Sequence, residues 1–260
     1  MGVRSRVGGA VVVGVAVVAA GAMACERGGP PPPAATSASP PPAPSASAPS
    51  AHGTVRLTVA PEGTATFLID APLEAIKGRW TKLRGAIDLD PSDLTKSHGE
   101  IDLDLGDLHT ETFGDPKKDE AQTEHARNWL DIGTDAAGRE ANRWARFTFT
   151  SLDSAAPAKL PEAAGPDGLR TVKVVAKGDL WLHGVTSPKT VKLTVAVSGP
   201  ASAPTAVRIT SDEPLRVSLK EHDVKPRDIA GKFLAGALER VGKKIDDAAQ
   251  VSLDLTAKKM

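Results

Sequence analysis

The 260-residue chain contains no tyrosine, and phenylalanine and tryptophan together supply only 3% of it. Its formal net charge is zero, with 32 basic and 32 acidic residues. Proteins that grip nucleic acid need a basic surface and rings on which bases stack, so no nucleic-acid partner is expected. A single cysteine, Cys25, leaves no partner for an internal disulfide. Of the six histidines, His109, His125, His183 and His222 fall on separate segments, and none forms a ligand pair at the short spacings of zinc sites. There is no His-Glu-x-x-His and no Gly-x-Ser-x-Gly elbow. With no catalytic constellation, metal site or cofactor motif, the chain reads as a binding or structural protein and not as an enzyme. No segment repeats at a fixed period.

What is present is arranged in blocks. Arg4 and Arg6 open the chain, and residues 7–20 carry no charge. That apolar run is shorter than the ~20 residues that span a bilayer. Small residues Ala22 and Ala24 then precede Cys25, which completes the outline of a bacterial export signal over residues 1–24. Two readings of Cys25 follow: the lipid-modified amino terminus of a lipoprotein, or an incidental free thiol behind an ordinary secretory signal. A lone thiol is a liability in an oxidising compartment, which favours the lipid anchor. Residues 25–52 are dominated by Pro, Ala, Ser and Gly, too polar and too poor in apolar surface to form a core, and read as an extended tether. A proline-rich docking motif is the alternative, although its prolines lack flanking arginines. These segments place the protein at the periplasmic face of a membrane in the bacterial envelope, the outer membrane being favoured over the inner.

Beyond the tether, residues 53–260 are long enough for one domain with its own core. Alternation of period two dominates: Val55, Leu57 and Val59, then Ala65, Phe67 and Ile69, and so on to Val251, Leu253 and Leu255. One apolar and one polar face per segment describes antiparallel strands around a core. The longest such run, Val172 to Leu182, carries Gly178 at its middle, where a kink or bulge is expected. The turn after it is read as Gly184-Val185-Thr186-Ser187-Pro188. Strands without alternating helices give an all-β sandwich or closed barrel. Two helices interrupt the pattern. Asp115 followed by Pro116 is a cap and first-turn proline, starting a helix that runs to about Leu130. Ile229, Phe233, Leu234, Leu238 and Val241 recur at helical spacing after Asp228. Residues 157–168 read as a surface loop. Asp88, Asp90, Glu100, Asp102 and Asp104 suggest a hydrated acidic outer face, or else a cation site.

Several stretches resemble one family. Thr112-Phe113-Gly114-Asp115, the helix containing Gln122-Thr123-Glu124-His125-Ala126-Arg127-Asn128-Trp129-Leu130, the strand Ala145-Arg146-Phe147-Thr148-Phe149-Thr150-Ser151 and the run Gly178-Asp179-Leu180-Trp181-Leu182-His183-Gly184-Val185-Thr186 are similar, in order and spacing, to the YceI-like family. The resemblance covers about residues 55–257. It implies an exported protein whose domain, here 53–260, is an eight-stranded antiparallel lipocalin-like barrel with one or two short helices, binding an isoprenoid-like or acyl lipid without catalysis. Relative to that family, residues 221–228 and the stretch after them enlarge the region before the last strand.

On that reading, the inward apolar residues Phe67, Ile69, Phe147, Phe149, Val172, Val174, Leu180 and Leu182 line a lipid cavity. His125, Arg127, Asn128 and His183 are the candidate polar contacts at its mouth. The plainer role for Arg127 is a cation near a helix carboxyl end. The competing function is a structural or interaction protein of the envelope whose barrel is filled.

Overall fold

Where apolar residues alternate the backbone is extended and one pleated face turns inward. The computed structural model describes residues 53–71, 75–224 and 246–260. The export signal, Cys25, the tether at 25–52 and the helical stripe at 229–241 lie outside the described residues. Twelve strands among the described residues combine into eight staves. β1 (Val55–Val59) with β2 (Thr64–Ile69) form the first, β3 (Ile76–Trp80) with β4 (Leu83–Leu89) the second, and β5 (His98–Asp104) with β6 (His109–Thr110) the third. β7 (Trp144–Ala156), β8 (Arg170–Leu182) and β9 (Val185–Ser198) are unbroken. β10 (Ala206–Ser211) with β11 (Leu215–Ser218) make the seventh stave, and β12 (Ala248–Lys258) the eighth. Each runs antiparallel to its predecessor, and β12 closes the ring on the first stave through Val59↔Ala257 and Ala65↔Leu253. The expected eight-stranded antiparallel barrel is what forms.

The barrel has two unlike ends. At the upper end lie the turn at 90–97, the loop at 157–169 and the turn at 199–205. At the lower end lie α1 (Pro116–Trp129), α2 (Arg139–Asn142), the β8–β9 turn and residues 219–224. α1 starts as its sequence dictates: the Asp115 carboxylate accepts from the Lys117 and Lys118 amides at 3.0 and 3.1 Å, with Pro116 in the first turn. Its buried residues Ala126 and Trp129, with Leu130 just after it, join Phe67, Ile76 and Trp80 in a lower core. An upper core gathers Leu57, Val172, Val197, Val207 and Leu255.

Several expectations are corrected. β3 and β6 are strands that alternation did not reveal. β3 carries Gly78 at its middle, where a side chain would collide with the Phe67 ring and the His109 carbonyl. The bulge expected at Gly178 forms there, with its extra residue in the facing strand β7 between Thr148 and Ser151, and a second irregularity lies between Leu152 and Ser154. Gly178 lets the Phe147 ring and the Thr148 carbonyl approach. The turn between β8 and β9 is only His183-Gly184, both at positive φ (50° and 78°), and Val185 to Pro188 already belong to β9. The loop at 157–168 is not wholly surface, because Leu160 is buried in the upper core.

The acidic outer face is likewise not bare. Asp102, fully buried, receives Arg146 Nε at 2.6 Å and Nη2 at 2.8 Å, and Arg84 Nε at 3.0 Å from the other side. Asp104 pairs with Arg143 at 2.8 Å and Asp88 with Arg56 at 2.8 Å. Register explains the ladder, since Arg84, Asp102 and Arg146 stand opposite one another on three adjacent strands. The Arg84 guanidinium also lies 3.5 Å from the centre of the Trp144 ring.

Candidate functional site

Eight staves of mostly Val, Leu and Ala enclose more space than those side chains fill. Ala65, Ala145 and Ala176 face inward where larger residues would meet across the axis, and a cavity of about 160 Å³ remains. Its wall is apolar except for the hydroxyls of Ser97 and Ser211. Both hydroxyl oxygens are engaged, accepting the Asp90 and Leu253 amides at 3.0 Å each. No charged group lines it.

Of the residues assigned to the wall from sequence, Phe147, Phe149, Val172, Val174 and Leu180 line the cavity. Phe67, Ile69 and Leu182 do not: they belong to the lower core. There the Phe67 and Trp80 rings meet at 4.7 Å between centroids, and Trp129 of α1 joins the same cluster. The lower third of the barrel is therefore a packed plug. Sequence parity separated inward from outward residues but carried no sign of where along the axis rings would fill the space. Wall residues missed from sequence include Leu94 and Ser97, which sit on a turn with no periodicity, and Leu215, Val251 and Leu253, which their strand parity marked as inward.

The four polar candidates all lie at the lower end, and none lines the cavity. His125 and Asn128 are exposed on α1. Arg127 turns inward and donates from Nη2 to the Leu108 carbonyl at 3.0 Å, with Glu124 3.7 Å from its Nη1. His183 is held by its turn, its Nδ1 donating to the His222 carbonyl at 3.0 Å. His222, unassigned from sequence, is fully buried. Its Nδ1 lies 3.1 Å from the Leu182 carbonyl, which can only accept, so that nitrogen carries the proton. Nε2 then accepts from the Ser187 hydroxyl at 3.0 Å. Burial pushes the His222 pKa below the ordinary histidine value, and this bonding fits a neutral ring.

Asp107 is a second missed residue. Its carboxylate accepts the Thr81 amide at 2.7 Å, the Thr81 hydroxyl at 2.8 Å and the Lys82 amide at 3.0 Å, clamping the bend between β3 and β4. Among the described residues no three His, Cys, Asp or Glu side chains are placed to hold a metal ion.

Two solved structures are similar to this chain. A polyisoprenoid-binding domain from Saccharophagus degradans, implicated in plant cell wall breakdown, superposes with a TM-score of 0.52 at 15% identity, covering 80% of this chain and 99% of its own. BcnA of Burkholderia cenocepacia gives 0.48 at 15% identity, covering 75% of this chain and 95% of its own. No curated protein sequence matches. The first likeness carries the fold alone. The YceI-like domain model, however, matches residues 51–257, and by that match over most of its length the chain belongs to the YceI-like domain family.

Proposed function

We propose that the barrel binds the hydrocarbon of an isoprenoid-like or acyl lipid and performs no catalysis. The observation that carries this reading is the apolar cavity of about 160 Å³ inside the barrel. At ~24 cal/mol per Å³, leaving such a space empty forgoes about 4 kcal/mol. A barrel working only through its surface gains nothing from that sacrifice, whereas a lipid carrier needs it. The polyisoprenoid-binding description of the Saccharophagus degradans domain points the same way. Tail burial is worth ~0.8 kcal/mol per CH₂ relative to water but almost nothing relative to a bilayer. A carrier held at the periplasmic face of a membrane by an acylated Cys25 thus exchanges lipid near equilibrium, with the tether at 25–52 giving reach.

The test is lipid extraction and mass spectrometry on the purified protein, beside its Ala176→Phe variant. Ala176 is buried and lines the cavity. If a lipid belongs there, the variant loses the co-purified lipid and keeps its melting temperature. If the barrel is simply filled, wild-type protein carries no lipid and the variant is strained by ~1–3 kcal/mol. That second outcome refutes the lipid reading.

A further inference from the structure

We infer that the hydrocarbon enters at the upper end, beneath Leu94, and that the cavity takes one branched unit of the guest while any longer chain trails out past the turn at 90–97. This rests on the lipid-binding reading above and adds the direction and the size of what is bound.

The lower end is shut by packing and by buried polar bonds. Phe67, Trp80, Trp129 and Leu182 fill the axis below Leu180. α1 is tied down by the Thr110 amide donating to the Thr123 hydroxyl at 2.9 Å, by the Thr110 hydroxyl donating to the Asp119 carbonyl at 2.7 Å, and by Arg127 on the Leu108 carbonyl. Withdrawing α1 would break all of these and expose two indole rings.

The upper end is built differently. The cavity reaches Leu89, Leu94, Ser97 and Leu152 there. Leu94, 1% exposed, stands over it on the 3₁₀ turn Leu94–Lys96. This turn carries its own hydrogen bonds. Asp90 Oδ1 accepts from the Ser92 amide and hydroxyl and from the Asp93 amide at 2.9, 2.6 and 3.0 Å. Asp93 caps Thr95, and Ser97 Oγ accepts the Asp90 amide. Its backbone bonds to the loop across the barrel rim are Leu94 N to the Ala158 carbonyl at 2.8 Å and Leu160 N to the Pro91 carbonyl at 3.0 Å. Residues 90–97 can therefore swing away from 158–160 as a unit, giving up two hydrogen bonds that water replaces, keeping those inside the turn and exposing Leu94 and Leu160, whereas opening the lower end exposes two indole rings.

Size limits what fits when the turn is shut. An apolar cavity of ~150 Å³ admits benzene, so about 160 Å³ holds one branched unit of about five or six carbons. Such a unit is either a small free molecule or the tip of a longer prenyl chain, and the shared chemistry is an uncharged branched hydrocarbon. The polar end of a long ligand then lies outside the upper rim, at the opposite end of the barrel from His125, Arg127, Asn128 and His183.

Methyl NMR on the full-length chain distinguishes these arrangements. The probes are 3-methyl-2-buten-1-ol and farnesol carrying a nitroxide at its hydroxyl end. We expect both to shift the Leu89 and Leu94 methyl signals, and the nitroxide to broaden Leu94 and Leu160 while sparing Leu130 and Leu182. Leu94→Ala should speed farnesol release about tenfold. Broadening centred on Leu130 and Leu182 places the way in at α1 and overturns the inference while leaving lipid binding intact. Binding of the short alcohol without farnesol overturns the trailing chain. If neither probe shifts any cavity methyl, the lipid-binding reading itself fails.

Discussion

The carboxylate of Asp107 serves a stave other than its own. Between β3 and β4 the amides of Thr81 and Lys82 fall outside the strand ladders, and Asp107 accepts both. Burial pushes this carboxyl up, but the bonds from Thr81 and Lys82 and the nearby Lys82 ammonium outweigh it and hold the pKa below the usual value. Asp107→Ala should lower the unfolding free energy at neutral pH by about 0.5–1.5 kcal/mol, read from urea titration, because the part-buried hydrogen bonds from Thr81 and Lys82 are lost to water. A depressed pKa contributes stability that is complete above the unfolded value near ~3.9 and is lost as pH falls through the lower folded value. The gap between wild type and variant should therefore close in acid below about pH 4. An unchanged midpoint at neutral pH would show that the bend holds without the clamp. Nothing in the local sequence marks Asp107, since its partners lie 25 and 26 residues away. Asp102 teaches the same lesson: its acidity was legible, whereas Arg84 and Arg146, 18 and 44 residues distant, became its partners only through strand register.

At the scale of elements, the β8–β9 hairpin is locked from outside by the segment that follows β11. His183 at positive φ leaves the strand direction within two residues, and His222 bonds to the Leu182 carbonyl and to Ser187 across the hairpin. Because the His222 pKa is lowered by burial, the unfolded chain binds its proton first as pH drops. Stability is then greatest above the unfolded value near ~6.5 and declines as pH falls toward the folded one. The melting temperature should fall between about pH 7.5 and about pH 5.5, and less steeply in His222→Gln, which keeps an amide but cannot titrate. Equal slopes for the two proteins would remove His222 from the account. Here the strands were legible from alternation and α1 from its Asp-Pro start, because both patterns are properties of a few consecutive residues. The turn was read one residue late at its start and four residues too long at its end because Val185 to Pro188, read as loop chemistry, pair fully with β8.

For the molecule as a whole, the proposed function combines a cavity in the barrel with acylation of Cys25. Cys25→Ser should release the protein from the membrane fraction into the soluble periplasm on cell fractionation, with lipid still bound. Retention of the mutant in the membrane fraction would dissociate anchoring from Cys25. The two mutations, Ala176→Phe and Cys25→Ser, should therefore separate holding lipid from residing at a membrane.

Period-two alternation, the helix cap at Asp115, the scarcity of rings and the block at residues 1–52 were determined by the amino-acid sequence itself. Each depends on backbone geometry or composition over a few neighbouring residues, so every strand except β3 and β6, and the inward face of each, could be read directly. Where the barrel is hollow and where it is plugged was decided only by the tertiary structure. Phe67 and Phe149 share the same inward parity, yet one packs at a tilt against Trp80 in the lower plug and the other borders the cavity. The difference arises because a cavity is a volume left over among side chains from staves far apart in sequence. Closure, register and the position of α1 bring those side chains together, and no single segment carries their sum.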